Sequence, residues 1–229
     1  MAKKKRITRK QLLKQPDEFM TFSGKLISYF TENKKSIAIV LCAVFIFIFA
    51  VSALNYFSKK QEVKAFDLLY NSMAKYETLK DKEKPETACQ EVENDFKSIF
   101  DKYPRKMGGK LARIFFANAC YQAKKYDNAI ELYSISLKDF AGDPLFKNLV
   151  LNSIAYSYEG KKDYKKAVKN FQMISTGDEP VMKGDAFFNL GMLYEKLGET
   201  DKSMEAYKKI VSDYKDTVYV EIAKKKVSG

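Results

Sequence analysis

Three segments of the chain align without a gap. "RIFFANACYQAKKYDNAIELYSIS" (113–136), "LNSIAYSYEGKKDYKKAVKNFQMI" (151–174) and "FFNLGMLYEKLGETDKSMEAYKKI" (187–210) place the small residues Ala117, Ala155 and Gly191 in one column. Twelve positions on stand Ala129, Ala167 and Ser203, and four further on the aromatics Tyr133, Phe171 and Tyr207. The segments begin 38 and then 36 residues apart, with the extra residues near Gly142-Asp143-Pro144 and Gly177-Asp178-Glu179-Pro180. Such residues mark loops, so each unit reads as helix, turn, helix. The turns are expected at Lys124-Lys125-Tyr126-Asp127, Lys161-Lys162-Asp163-Tyr164 and Gly198-Glu199-Thr200-Asp201. Small residues let the two helices of a hairpin cross closely, and the aromatic is expected to fill the space beyond the crossing, against the next repeat. One hairpin cannot bury its apolar face, whereas a stack of hairpins can. The pattern therefore implies an all-α solenoid.

A small residue, an aromatic, a turn, an alanine and a second aromatic at this period resemble the tetratricopeptide repeat. "SDYKDTVYVEIAKKKV" (212–227) resembles the terminal capping helix of such an array. "NDFKSIFDKYPRKMGG" (94–109) resembles the end of a second helix with its exit loop, which makes 61–103 a degenerate first repeat with Gln61 to Tyr76 as its first helix. The chain departs from the pattern in having no tryptophan and no proline directly after each second helix.

Upstream, "SIAIVLCAVFIFIFAVSALNYF" (36–57) holds no charged residue. As a helix it spans about 33 Å, enough to cross the hydrocarbon core of a bilayer. Lys34, Lys35, Lys59 and Lys60 bound it, and Tyr56 and Phe57 suit the interface. A cleaved signal peptide ending near Val51-Ser52-Ala53 is the alternative. The 35-residue basic leader and the length of the apolar run argue against it. That leader carries Lys3, Lys4, Lys5, Arg6, Arg9, Lys10, Lys14, Lys25, Lys34 and Lys35 against Asp17, Glu18 and Glu32. The positive-inside rule then places the N-terminus in the cytoplasm and the repeats across the membrane. Within the leader, Pro16-Asp17-Glu18 reads as a helix start. Phe19, Phe22, Leu26, Ile27 and Phe30 form a stripe suited either to the membrane surface or to a partner helix. The expected organisation is a basic cytoplasmic leader with an amphipathic helix (1–35), a transmembrane helix (36–57), a degenerate first repeat (58–109), and three repeats with a capping helix (110–229).

The net charge of +12 lies mostly in the leader, and the residues beyond position 35 mix 31 basic with 26 acidic side chains. That is a solvated surface rather than a phosphate-binding stripe, so no nucleic-acid partner is expected. With no histidine, a Ser-His-Asp triad, a Cys-His pair and His-ligated zinc are excluded. No Gly-rich phosphate loop occurs either. No enzyme activity, cofactor, metal or small-molecule substrate is expected.

What the chain binds follows from the resemblance. In tetratricopeptide arrays the first helices line a concave groove, and the positions implied to face it are Ile114, Asn118, Tyr121, Asn152, Tyr156, Phe188 and Met192. Aromatic and amide groups suit a protein or peptide partner. The carboxylate clamp of chaperone-tail readers requires a lysine four residues before the groove asparagine, and Ile114 stands there instead. A basic leader, one anchor and an exported array together resemble a bacterial inner-membrane family that includes the ancillary Sec-translocon subunit, with periplasmic chaperones among its partners. The function so implied is an interaction module in envelope protein export or folding. A scaffold for envelope assembly or division, and an organelle receptor with cytosolic repeats, are the alternatives.

Two cysteines lie beyond the apolar run, Cys89 and Cys120. Counted outward from Pro104–Gly109 they sit at similar heights on antiparallel helices. Packed helices are usually 8–10 Å apart, and a disulfide needs Cα atoms within about 7 Å. A bridge and two buried free thiols both stay open, with the spacing favouring the thiols.

Overall fold

The computed structural model describes residues 18–228, with side chains described from Phe22 onward. The leader residues from Lys3 to Lys14, the Pro16-Asp17 start signal and the Phe19 side chain lie outside the described residues. Among those described there are ten helices and no strand: α1 Glu18–Glu32, α2 Lys34–Lys80, α3 Pro85–Lys102, α4 Met107–Gln122, α5 Tyr126–Asp139, α6 Pro144–Gly160, α7 Tyr164–Thr176, α8 Lys183–Leu197, α9 Thr200–Asp213 and α10 Val220–Ser228. Contacts divide the chain into a unit ending at Ser58 and a unit beginning at Lys59.

In the first unit, the α1 stripe of Phe22, Leu26, Ile27 and Phe30 is exposed. So are the large apolar side chains of α2 from Ile39 to Phe57, and this helix is long and apolar enough to cross a membrane. The sequence reading separates 36–57 from a repeat helix at 61–76. The backbone instead runs through both as one helix, since Ser58-Lys59-Lys60-Gln61 contains neither glycine nor proline to stop it.

The second unit begins where α2 acquires a buried face. Ala65, Leu69, Ser72 and Tyr76 recur at helical spacing and are buried, and all but Ser72 join one apolar cluster with Ala88, Cys89, Val92, Phe96, Ile99 and Phe116. Tyr76 donates to Gln122 Oε1 at 3.0 Å, and Lys75 pairs with Asp95 at 2.7 Å. From α3 to α10 each helix packs on the next. Helix starts follow local chemistry. Pro85 and Pro144 occupy first-turn positions where a missing N–H costs nothing. Asp143 and Asp163 accept from the backbone N–H of Phe146 (3.1 Å) and Lys166 (3.2 Å).

The aligned columns occupy equivalent places. Ala117, Ala155, Gly191, Ala129, Ala167 and Ser203 are all buried. Ser203 Oγ donates to the Gly191 carbonyl at 2.9 Å, and a Cβ at residue 191 would stand 2.6 Å from the Tyr207 ring. The aromatic column faces both the next element, where Tyr133 clusters with Val150 and Ile154, Phe171 with Ala186 and Leu190, and Tyr207 with Ala223, and its own hairpin. Tyr133 donates to Asn118, Phe171 packs edge-on to Tyr156 (5.5 Å between ring centres), and Tyr207 packs against Phe188 (6.2 Å).

The hairpin turns are also tighter than the sequence suggests, since α5, α7 and α9 begin at Tyr126, Tyr164 and Thr200. One left-handed residue closes each turn: Lys124 (φ 58°), Lys162 (φ 62°) and Gly198 (φ 74°), again a single column. The following amide reaches back five residues, from Lys125 to Cys120 (2.8 Å), Asp163 to Tyr158 (2.9 Å) and Glu199 to Tyr194 (2.9 Å). A shorter bond nests inside each, from Lys124 to Tyr121, Lys162 to Glu159 and Gly198 to Glu195. This Schellman pair satisfies carbonyls that the helix end would otherwise leave open. The terminal helix is shorter than the 212–227 segment, as 212–213 still belong to α9.

Candidate functional site

The first helices of the three hairpins, α4, α6 and α8, present the residues expected to face a partner. All seven of them, Ile114, Asn118, Tyr121, Asn152, Tyr156, Phe188 and Met192, are neither buried nor fully exposed. Helices α4 and α6 also touch directly, in addition to the contacts between sequential helices. Half-exposed side chains on elements fixed by a packed core are what a recognition surface requires.

The seven do not play equal parts. Tyr156 is central: its hydroxyl donates to Asn189 Oδ1 of α8 at 3.3 Å, and the Asn189 amide donates to the Asp185 carbonyl at 2.8 Å. The phenol pKa of Tyr156 is raised, chiefly by burial, with Glu159 and Asp185 adding negative charge nearby. Tyr121 on α4 lies against Tyr126 (5.7 Å between ring centres). Its pKa is likewise raised, first by burial and then by Tyr126, Glu159 and Tyr156. Tyr121 and Tyr156 therefore belong to one patch. Asn118 is engaged from within its own hairpin by the Tyr133 hydroxyl, and Ile114 packs against the core cluster. Phe188 stacks on Tyr219 (4.1 Å between ring centres, 11° between planes) in the segment leading to α10. Asn152 stands one turn before Tyr156 on α6, and Met192 one turn after Phe188 on α8.

Sequence reasoning missed Glu159, Asp185, Asn189 and Tyr219. For Glu159 a signal existed, since it occupies the repeat column of Tyr121, as does Glu195. Both glutamates hold a lysine from a later helix: Glu159 pairs with Lys196 at 2.6 Å, and Glu195 with Lys226 at 2.8 Å. The column thus changes from an aromatic to a carboxylate that ties one repeat to the next. Tyr219 lies outside the repeat period, so no spacing could reveal it. The patch offers phenol and carboxylate groups, with the Asn189 amide buried beneath them. Among the described residues no cluster of three or more His, Cys, Asp or Glu is arranged to hold a metal ion.

Stacked helical hairpins with a half-exposed first-helix face define a repeat scaffold. Residues 28–227 match the model of the tetratricopeptide repeat-like domain, and the chain belongs to that family. Among solved structures, it is similar to the nearly identical TPR-like repeats of a kinesin light chain from Podosopora anserina. The identity is 13%, over 74% of this chain and 82% of that one, with a TM-score of 0.48. It is also similar to BtubC (BKLC) from P. vanneervenii, at 14% identity over 70% of this chain and 72% of that one, with a TM-score of 0.43. A comparison with curated proteins gave no match.

Proposed function

We propose that the chain is a membrane-anchored interaction module that holds a segment of a partner protein along the α4–α6–α8 face. In this reading 36–57 crosses the inner membrane of a bacterium, the basic leader stays in the cytoplasm, and the repeats act in the periplasm. The partner is a component or client of envelope protein export or folding, such as the translocon or a periplasmic chaperone. The carrying observation is the patch of Tyr121, Tyr156 and Asp185, half-exposed and spread over three helices, with Asn189 buried beneath it as the hydrogen-bond partner of Tyr156. Aromatic surface supplies contact area, and amide and hydroxyl groups pair with partner backbone.

Replacing Tyr121 and Tyr156 together with Ser tests the reading. Crosslinking and pull-down from membranes should lose the translocon or chaperone partner, while circular dichroism of the chain stays near wild type. Capture that survives with intact helicity places the partner on another face. Phe188 is left unchanged in this experiment because it stacks on Tyr219. Topology is tested separately with Ser134→Cys, at an exposed α5 position. An impermeant thiol reagent should label it in intact spheroplasts, and labelling only after lysis reverses the orientation.

A further inference from the structure

The groove leaves one pair of reactive groups unused. Cys89 on α3 and Cys120 on α4 are each 1% exposed, and their Sγ atoms are 3.7 Å apart in S–H···S contact. The third cysteine, Cys42, is exposed in the apolar part of α2. We propose that Cys89 and Cys120 are an oxidisable pair that closes to a disulfide, stapling α3 to α4, when the chain meets a disulfide donor such as oxidised glutathione.

Three observations carry this. The first is distance. A disulfide has its sulfurs about 2.05 Å apart, so the pair must close by about 1.7 Å, within reach of side-chain rotation and a small helix shift. The second is placement. Cys120 lies at the end of α4, where its carbonyl accepts the reaching-back bond from Lys125, so the backbone beneath one sulfur is held by the turn. Cys89 sits among Ala88, Val92 and Phe96 in the same core cluster. The third is charge. The hydrogen bond shared with Cys120 holds the Cys89 thiol below its ordinary pKa, with Lys125 helping and burial and Glu93 opposing. The same hydrogen bond, together with burial, pushes Cys120 up. In the proposed order Cys89 is the attacking sulfur and Cys120 the resolving one.

The chemistry balances with the named oxidant. The Cys89 thiolate attacks one sulfur of glutathione disulfide, giving a mixed disulfide and one glutathione thiolate. Cys120 loses its proton to solvent and attacks Cys89 Sγ, expelling the second glutathione thiolate. Two protein thiols are oxidised, and one glutathione disulfide becomes two glutathione thiols. Because both cysteines are buried, exchange follows opening of the α3–α4 hairpin or takes place before that hairpin closes. The bridge closes a loop between residues 31 positions apart, restricting the unfolded chain.

The test uses the full chain in detergent, incubated with excess oxidised glutathione, then denatured, alkylated and mapped by mass spectrometry. The expected result is one linked peptide pair containing Cys89 and Cys120, with Cys42 still alkylated. The melting temperature should rise by about 5 °C or more, reversibly with dithiothreitol. Cys89→Ser should abolish that rise. Alkylated Cys89 and Cys120 after oxidation overturn the pairing, as do stable glutathione adducts on either. An unchanged melting temperature in a bridged chain, or a rise that persists in Cys89→Ser, overturns the staple.

Discussion

The two parts of α2 use apolar residues in opposite ways. From Ile39 to Phe57 they surround the helix and none is buried, whereas between Ala65 and Tyr76 the buried residues form one face. On the proposed reading the first part lies in a bilayer, where composition carries the information, because an apolar solvent accepts any face of the helix. In the second part position carries it, because only residues at the right spacing reach the neighbouring helices. A substitution should therefore be judged by a different rule on either side of Ser58.

The largest expected effect breaks the composition rule. Phe45→Arg with Phe49→Arg should cost about 5–7 kcal/mol of membrane insertion and shift the chain out of the membrane fraction on flotation. Shuffling the apolar residues of 39–54 among themselves should leave flotation unchanged. The next effect breaks the position rule: Leu69→Ala should lower stability by about 3 kcal/mol in thermal melts while flotation stays intact. If Leu69→Ala also released the chain from membranes, the separation would fail. Third, Ala167→Leu inserts three carbons at a fully buried crossing and should cost about 2 kcal/mol. A melt unchanged by this substitution would mean that the α6–α7 crossing relaxes freely. The smallest effects sharpen the comparison at the turns. Gly198→Ala should destabilise by about 1 kcal/mol, and Lys162→Gly should stabilise by up to about 1 kcal/mol, as measured in denaturant titrations. Equal signs for the two would show that the left-handed column is not what closes the turns.

The small and aromatic columns were legible because a helix crossing restricts volume at fixed intervals, and volume is written in residue type. Lys124 and Lys162 were not, because lysine gives no sign of a positive φ. Of the three residues in that column only Gly198 shows the requirement. The continuity of α2 is not legible in the sequence, because a shift from all-round to one-sided apolarity reads as a change of element. At the candidate site, Tyr121 and Tyr156 followed from register within a repeat. Asp185, Asn189 and Tyr219 depend on how one repeat approaches the next, and a single-repeat pattern does not encode that distance.

The sequential packing of α3 through α10 also bears on how the chain reaches its fold. Because each helix packs on the one that follows it, the contacts that build the array join residues close in sequence. Such a topology has low contact order, so little loop-closure entropy stands in the way of the first hairpin to form. Any of the three aligned hairpins can serve as the nucleus, and structure then spreads to its neighbours in either direction. A chain emerging in order from a narrow exit need not wait for its C-terminus, since each completed hairpin gives the next a surface on which to fold.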